Sequence, residues 1–168
     1  APTDGDDGVG GYAFIGAQRR AIVVSEPWPP DIRAALLAAQ DETEAAARRA
    51  GRDHRPWISF AAAELFGSVV VARAAGSRAC GAPTYAIGDS AAAAACLNRG
   101  ASKRGALLRL TRWAHAWSPQ WRGVAVPREL NVHPDLLSHP SRISEVLDAA
   151  EVAGIDAEVV AIDTVRVR

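Results

Sequence analysis

The stretch from Thr84 to Gly100 constrains the fold most, because it has the features of a strand, a tight turn and a helix in direct succession. Thr84–Ile87 is a short run of β-favouring residues without clear alternation, which predicts a buried strand. Ser90 is a preferred N-cap for the alanine-rich run 91–98, and Gly100 is a preferred stop. The stretch therefore predicts a strand that leads directly into a helix.

Asp89 lies between these two elements, at the carboxyl end of the predicted strand. Open α/β sheets place their chemistry at such strand ends, facing the start of a helix. On this pattern alone, the simpler interpretation is that Asp89 helps to cap the helix. Whether Asp89 caps the helix or belongs to a functional site depends on the other acidic residues of the chain.

The remaining elements follow from hydrophobic spacing and from turn residues. The predicted strands are Val9–Ile15 and Ala21–Glu26, joined as a hairpin by 16–20, then Gly123–Val126 and a last strand or extended tail, Glu158–Val167. The predicted helices are Phe60–Ala75, Gly105–Trp117 and Ser144–Ala153. This order predicts an α/β domain with a mixed sheet and helices on both faces.

Length and composition favour one domain over residues 1–168, since 49% of the residues are hydrophobic and can form a substantial core. Residues 31–55 are predicted to be a helical insertion on the surface, and 141–168 a C-terminal helix with an extended tail. Lys and Arg together number 19, as do Asp and Glu. A nucleic-acid partner would therefore need a local basic patch, and the candidates surround one helix: Lys103, Arg104, Arg109 and Arg112.

The two cysteines, Cys80 and Cys96, form neither a disulfide framework nor a metal-binding spacing with the histidines. No apolar run approaches the roughly 18 residues that span a bilayer, and no signal peptide is visible at the N-terminus. We therefore expect an intracellular protein, in the cytoplasm or nucleus, that is not secreted and has no membrane partner.

Glu64 stands out within the predicted helix Phe60–Ala75, whose apolar residues recur at helical spacing over a wide face. A carboxylate among so many apolar residues is costly unless it is paired or binds a cation. We therefore expect Glu64 to be paired or to bind a cation.

Several segments together resemble the ribonuclease H domain that follows reverse transcriptase in retrotransposon polyproteins. The most specific is 126–138, Val-Pro-Arg-Glu-Leu-Asn-Val-His-Pro-Asp-Leu-Leu-Ser, where the family has Val-Pro-Gly-Glu-Leu-Asn-x-x-Ala-Asp-x-Leu-Ser. The Glu-Leu pair at Glu64, the Asp-Ser-Ala-Ala that begins at Asp89, and Thr3-Asp4 before a glycine-rich hairpin also match. The resemblance covers nearly all of Thr3–Ser138 and implies a ribonuclease H-like fold with a mixed five-stranded sheet.

The resemblance implies a catalytic, metal-binding site of four carboxylates: Asp4, Glu64, Asp89 and Asp135. Four such groups brought together repel one another and raise one another's pKa values, and divalent cations relieve that repulsion. Oxygen ligands suit Mg²⁺, for which Mn²⁺ can substitute. Two such ions can activate a water and stabilise the leaving oxygen of a phosphodiester displacement. Residues expected to contact nucleic acid are Ser90, Asn98, Lys103, Arg104 and Asn131, although Ser90, Asn98 and Asn131 can instead cap or pin turns.

Three departures from the family pattern stand out. The histidine that often precedes the family's Pro-Gly is Ala125 here, and His133 is a possible auxiliary residue in its place. Arg128 replaces the usual glycine, and Pro134 the usual alanine. Only residues 1–3 precede Asp4, so either the chain begins inside the domain or its first strand is short. In that case Asp6 or Asp7 could replace Asp4 as the first ligand.

The expected function is that of a metal-dependent endoribonuclease that cleaves the RNA strand of RNA/DNA hybrids. Its partners would be the hybrid and the reverse transcriptase domain of the same retroelement polyprotein. The alternative is a catalytically silent ribonuclease H-like scaffold that binds nucleic acid or a partner protein. A different nuclease or an integrase-like enzyme of the same fold is a third possibility, against which the segment 130–138 argues.

Overall fold

The computed structural model describes residues 7–16, 19–28, 30, 33–34, 60–76, 81–102 and 105–162 of the 168-residue chain. Over these residues the protein is a mixed α/β structure. In chain order its elements are β1 (Gly8–Phe14), β2 (Arg20–Pro27), α1 (Phe60–Ala74), β3 (Thr84–Gly88), α2 (Ala91–Arg99), α3 (Gly105–Trp117), β4 (Trp121–Ala125), α4 (Val132–Leu137), α5 (Ile143–Val152) and β5 (Asp156–Val159). Two short 3₁₀ turns, Arg128–Leu130 and Pro140–Arg142, flank α4.

The predicted hairpin is confirmed: β1 and β2 pair antiparallel over their whole length, from Gly8 opposite Pro27 to Phe14 opposite Ala21. On its other edge β2 pairs parallel with β5, so the first sheet has the order β1-β2-β5. The side chain of Arg20 reaches across this parallel pair to the carboxylates of Asp156 (3.3 Å) and Glu158 (3.8 Å). Because these ion pairs are half-exposed, each stabilises the edge by at most about 1 kcal/mol.

The strand predicted at Thr84 is present, and it pairs parallel with β4 in a second sheet of two strands. The prediction that this strand is buried is wrong, because Tyr85 and Ile87 are exposed and alternate with half-buried residues. The helix α2 connects from β3 and packs against β4. Gly123 on β4 is in such close contact with the backbone of Ala94 on α2 that a Cβ there would overlap it. Absence of a side chain at Gly123 therefore sets how closely the helix approaches the strand.

The single five-stranded sheet expected from the resemblance is wrong for the described residues, because their five strands form one sheet of three and another of two. No strand in the described part of the chain hydrogen-bonds β1 to β3. The predicted link was the strand at Asp4, and residues 1–6 lie outside the described residues. The same holds for most of the predicted insertion 31–55, and for Lys103, Arg104 and the tail 163–168.

In each sheet one outer strand, β1 or β3, therefore has an edge on which no described strand pairs. The backbone N–H of Trp28 donates to Asp7 in the β1–β2 ladder, so by alternation the backbone groups of Gly10 and Tyr12 point away from β2. In the second sheet Thr84 bonds Gln120 of the β4 segment, which directs the backbone groups of Tyr85 and Ile87 outward. We call these two edges the β1 edge and the β3 edge.

Strand β1 lies between two helices, although no described strand pairs with its outer edge. A Cβ on Gly10 would overlap the carbonyl of Leu137 at the end of α4, and one on Gly11 would lie 3.0 Å from Cγ2 of Val71 on α1. The hydroxyl of Ser25 on β2 adds a hydrogen bond of 2.6 Å to the carbonyl oxygen of Leu137. Glycines in β1 therefore let α1 and α4 approach its two faces closely.

Two groups of buried side chains hold the elements together. One joins α1, α2, α3 and β4, with Leu65 and Val69 of α1 and Trp121 of β4 almost fully buried. Burial of an aliphatic side chain of this size contributes about 1.5–3 kcal/mol. The second group joins β2, α4 and α5 through the side chains of Val23, Leu137 and Val146. No helix in the described ranges is long and apolar enough to cross a membrane.

Candidate functional site

The turn between β3 and α2 places Asp89 and Ser90 side by side, as the sequence predicts. Ser90 is confirmed as the N-cap of α2, because its Oγ accepts a hydrogen bond of 3.2 Å from the N–H of Ala93. Gly100 ends the helix in the left-handed conformation with a φ of 65°, as predicted. The short turn at 89–90 is thus fixed by a strand before it and a capped helix after it.

Glu64 on α1 reaches the same turn. The hydroxyl of Ser90 donates a hydrogen bond to the Glu64 carboxylate, which tends to lower the pKa of Glu64, and the nearby Asp89 charge tends to raise it. The largest influence is the loss of hydrating water around the carboxylate, and the net pKa of Glu64 is raised above 4.5. Glu64 and Asp89 are therefore close enough to interact as like charges.

Glu64 is exposed, whereas its neighbour Leu65 is fully buried. The apolar face of α1 is wide but does not extend to Glu64. The expectation that Glu64 has a partner is confirmed by its hydrogen bond from Ser90. Its carboxylate is at the rim of the core, where neighbouring atoms displace some water but leave an opening to solvent.

Asn131 joins the cluster from the other side of the chain. Its Nδ2 donates a hydrogen bond of 3.3 Å to Oδ1 of Asp89. Although Asn131 occupies the N-cap position of α4, its side chain makes no capping hydrogen bond there. The amide is therefore directed to the carboxylate instead of to its own helix.

Asp135 lies in the first turn of α4 and has a cationic partner. An oxygen of its carboxylate, Oδ1, is 3.4 Å from a guanidinium nitrogen of Arg128, in the 3₁₀ turn that precedes the helix. The positive charge of Arg128 also tends to lower the pKa of Glu64. Arg128 thus pairs with the Asp135 carboxylate and also acts electrostatically on Glu64. We call Glu64, Asp89, Asp135 and Arg128 the acidic-tip cluster.

A divalent cation fits this cluster in its chemistry but not as a closed set of ligands. The carboxylate oxygens of Glu64 and Asp89 are ligands that Mg²⁺ prefers, and both are open to solvent. However, no three Asp, Glu, His or Cys residues in the described ranges are grouped so as to hold a metal ion. The Asp135 carboxylate is paired with Arg128 instead.

The first carboxylate of the expected site cannot be placed, because Asp4 and its alternative Asp6 lie outside the described residues. The second alternative, Asp7, has partners of its own. Its carboxylate lies 3.4 Å from Arg33 and 4.0 Å from Nδ1 of His139, and its carbonyl accepts from Trp28. These contacts occupy Asp7 at the start of β1 and give no indication that it belongs to the cluster.

Asn98, predicted either to contact nucleic acid or to pin a turn, has both ends of its side-chain amide engaged with Gly123. Its Nδ2 donates to the Gly123 carbonyl (2.9 Å), and its Oδ1 accepts from the Gly123 N–H (2.8 Å). This pair ties α2 to β4. Of the predicted basic patch, Lys103 and Arg104 are outside the described residues, whereas Arg109 and Arg112 are exposed on α3.

His133, the possible auxiliary residue, is exposed on α4, and its ring lies 6.5 Å from that of Tyr12. Tyr12 in turn makes an edge-to-face contact with Phe14, with ring centroids 5.4 Å apart. Tyr12 also packs against the buried group of Val23, Leu137 and Val146. His133 therefore faces an aromatic group, and no hydrogen bond to the acidic-tip cluster is found for it among the described residues.

Sequence reasoning missed two relationships. It treated Arg128 only as a departure from the family pattern, and it did not foresee that Asn131 would contact Asp89. A guanidinium in a segment that also carries an acid seven residues later was the available signal for the Arg128–Asp135 pair. Trp113 and Trp117 both lie against Arg73, whose guanidinium is 4.7 Å and 5.1 Å from the two ring centroids.

Comparisons with known proteins give no match, so the function has to be argued from the residues themselves. No protein-family model matches the chain, and neither the curated proteins nor the solved structures contain a match to it.

Proposed function

We propose that this protein is a metal-dependent nuclease of the ribonuclease H-like class. More specifically, we propose an endoribonuclease that cleaves the RNA strand of RNA/DNA hybrids, as one domain of a retroelement reverse transcriptase polyprotein. The observation that supports this most is the proximity of Glu64 and Asp89 at the turn between β3 and α2. Two carboxylates from a helix and a strand end, held by neutral donors and open to solvent, suit cation-assisted phosphodiester chemistry.

The chain's own residues have separable roles in this proposal. Glu64 and Asp89 would hold Mg²⁺, with Asp135 and the unplaced Asp4 as further ligands. Bound divalent cations supply an activated water and stabilisation of the leaving oxygen. Ser90 and Asn131 donate hydrogen bonds to Glu64 and Asp89 and thereby fix the direction in which the two carboxylates point.

Exposed basic residues on α3 suit a nucleic-acid substrate. Arg109 and Arg112 are exposed on α3, and contacts from such side chains to phosphates provide affinity without sequence preference. Lys103 and Arg104 belong to the same predicted patch. Cleavage of one strand in a hybrid also requires recognition of the ribose 2′-hydroxyl, for which short polar side chains beside the carboxylates are suitable.

One observation favours the alternative, a catalytically silent scaffold that binds nucleic acid or a partner protein. Asp135 is paired with Arg128, and the described acids do not form a closed ligand group. A protein that no longer binds metal would be stabilised by such an internal cation. The two proposals differ in one measurable property, because the enzyme must cut a hybrid when it is given Mg²⁺ or Mn²⁺.

The test uses a labelled RNA/DNA hybrid with the wild type, Asp89→Asn and a matched control, Asp148→Asn, which changes an exposed acid on α5. The enzyme proposal predicts cleavage in Mg²⁺ or Mn²⁺ by the wild type and the control, and none by Asp89→Asn. Ca²⁺ should not support the reaction, since its looser coordination does not fix the in-line geometry. Single-stranded RNA and duplex DNA should remain intact.

Binding of the hybrid without cleavage in either metal would contradict the enzyme proposal and support the scaffold. In that case Asp89→Asn should bind the hybrid as the wild type does. Unfolding of Asp89→Asn would be uninformative about catalysis, so its melting temperature is compared with that of the wild type first. Asparagine can still accept the hydrogen bond from Asn131, and we therefore expect the variant to fold.

A further inference from the structure

The β1 edge and the β3 edge belong to strands that pack against the same helix. On β1, Cγ2 of Val9 lies 3.2 Å from the position that a Cβ on Gly67 of α1 would occupy. On β3, Ala86 packs against the buried group that contains Leu65 of α1. Helix α1 therefore lies against both strands, although they belong to different sheets.

The segment 131–137 connects the same two strands at a second place. Asn131 contacts Asp89, just past the end of β3, and the carbonyl of Leu137 lies against Gly10 of β1. A helix rises about 1.5 Å per residue, so the path from Asn131 to Leu137 spans about 9 Å. Two strands with a third between them are also about 9–10 Å apart, since neighbouring strands lie about 4.8 Å apart. The span of this segment therefore matches the width of one strand between β1 and β3.

Backbone hydrogen-bonding groups line both edges. The N–H and C=O groups of Gly10 and Tyr12 point away from β2, and those of Tyr85 and Ile87 point away from β4. Among the described residues no third strand bonds to either row. We call the space between the β1 edge and the β3 edge the strand slot.

We propose that the strand slot binds one extended polypeptide segment of a partner protein, which adds as a strand between β1 and β3. The segment would join the two sheets into one, in the order β5-β2-β1-partner-β3-β4. Rows of backbone donors and acceptors are complementary to another backbone, and main-chain hydrogen bonds supply the affinity in strand addition. The proposal goes beyond the nuclease activity and does not depend on it.

The two edges also determine which kind of segment fits. A strand that already has a partner, such as β3 of a second copy, can satisfy one row of the strand slot but not both. An isolated extended segment has both of its edges free. Its side chains that point to α1 would lie beside buried Val9 and half-buried Ala86, so apolar residues suit every second position. The partner is therefore an extended stretch of about five or six residues with alternating apolar side chains.

The experiment follows amide hydrogen exchange by NMR at Gly10, Tyr12 and Tyr85 in the whole chain, at protein concentrations where the chain is monomeric. The probes are capped hexapeptides in which valine, isoleucine or alanine alternates with threonine. Matched control peptides carry N-methyl groups on every second residue, which removes the donors on one side. The blocking variant is Ile87→Pro, which removes an outward N–H that the β3–β4 ladder does not use. Its control, Ile87→Thr, keeps this N–H but removes the apolar side chain.

Exchange at both edges should slow together, about tenfold at a peptide concentration of about ten times the Kd. Ile87→Thr should respond as the wild type does, because backbone pairing supplies the affinity. Ile87→Pro should not respond, and its melting temperature is compared with that of the wild type first. The N-methylated peptides should have no effect on the wild type, so the same test is made without any change to the protein.

Four results would overturn the proposal. Slower exchange at one edge only would show addition to a single sheet instead of insertion. Slow exchange at both edges without peptide would show that the chain fills the strand slot itself. Slowing that depends on protein concentration and not on peptide would assign the edges to second copies. No slowing with any peptide at about 1 mM, a concentration that detects even millimolar affinity, would show that the strand slot does not accept a strand. None of these results bears on cleavage of the hybrid.

Discussion

The side-chain amide of Asn131 donates a hydrogen bond of 3.3 Å to the carboxylate of Asp89, which lies 42 residues earlier in the chain. This contact links the segment before α4 to the end of β3. A carboxylate with a neutral donor on one oxygen keeps its second oxygen free for another ligand. The contact therefore orients Asp89 without neutralising it.

Asn131→Ala should lower hybrid cleavage about tenfold, because residues that orient metal ligands typically contribute 10- to 100-fold. The melting temperature should hardly change, since the hydrogen bond is exposed. Asn131→Asp should lose more activity, as it places a second negative charge against Asp89. Rates at saturating Mg²⁺ give the comparison, and full activity of Asn131→Ala would show that Asp89 needs no orienting donor.

Glu64→Gln should stabilise the metal-free protein at neutral pH. The pKa of Glu64 is raised in the folded state, chiefly by desolvation, so the folded protein retains this proton to a higher pH than the unfolded chain does. Stability is therefore lost as the pH rises from 4.5 through the raised pKa, and glutamine avoids that loss. Because Glu64 is exposed, the gain in melting temperature should be small, about 1–2 °C.

Melting curves at several pH values, with a chelator present, test this prediction. The advantage of Glu64→Gln should disappear below about pH 4, where glutamate is protonated in both states. Glu151→Gln, which changes an exposed acid on α5, is the control. If Glu64→Gln melts higher than the wild type by the same amount at every pH, the gain does not come from the ionisation of Glu64.

Gly10→Ala should destabilise the protein by about 2–4 kcal/mol, because the new Cβ would overlap the carbonyl of Leu137 and the backbone cannot yield cheaply. Gly88→Ala is the matched control: it also changes a strand glycine, but a Cβ there meets nothing within 4 Å. Urea unfolding of the two variants measures the difference. Equal stabilities would show that α4 is not pressed against β1 in solution.

Asn98→Ala should cost about 1–2 kcal/mol, since it removes two hydrogen bonds that tie α2 to the backbone of Gly123. Asn98→Asp keeps the acceptor for the Gly123 N–H but places a carboxylate oxygen against the Gly123 carbonyl in place of the donor, so it should be destabilised at least as much. Urea unfolding gives the free energies, and hybrid binding is measured on both. Reduced hybrid binding at unchanged stability would indicate that Asn98 contacts nucleic acid.

The sequence predicted those features that depend on residues a few positions apart. The Ser90 cap, the Gly100 stop and the β1–β2 hairpin each have a short-range cause in side-chain hydrogen bonding or turn conformation. The parallel pairing of β3 with β4 follows equally from the helices that separate them in the chain.

Features that depend on distant contacts were not predictable in the same way. Pairing of β1 with β3 depends on the segments that lie between the two strands in space. The residue pattern within either strand does not specify that pairing. The exposure of Glu64 depends on where the elements packed against α1 end, which its helical spacing does not encode. The pairing of Arg128 with Asp135 required the backbone path through the 3₁₀ turn.

The β1 and β3 edges have a practical consequence for the isolated chain. Within the described ranges neither edge pairs with another strand, and a row of backbone donors and acceptors without a strand partner is a template onto which another extended chain can add. The apolar side chains of Phe14, Tyr85 and Ile87 on these strands are exposed. Two copies that meet edge to edge would bury those side chains and satisfy both rows. Preparations should therefore show self-association that grows with protein concentration, and lysine substitutions at Tyr85 or Ile87 should suppress it.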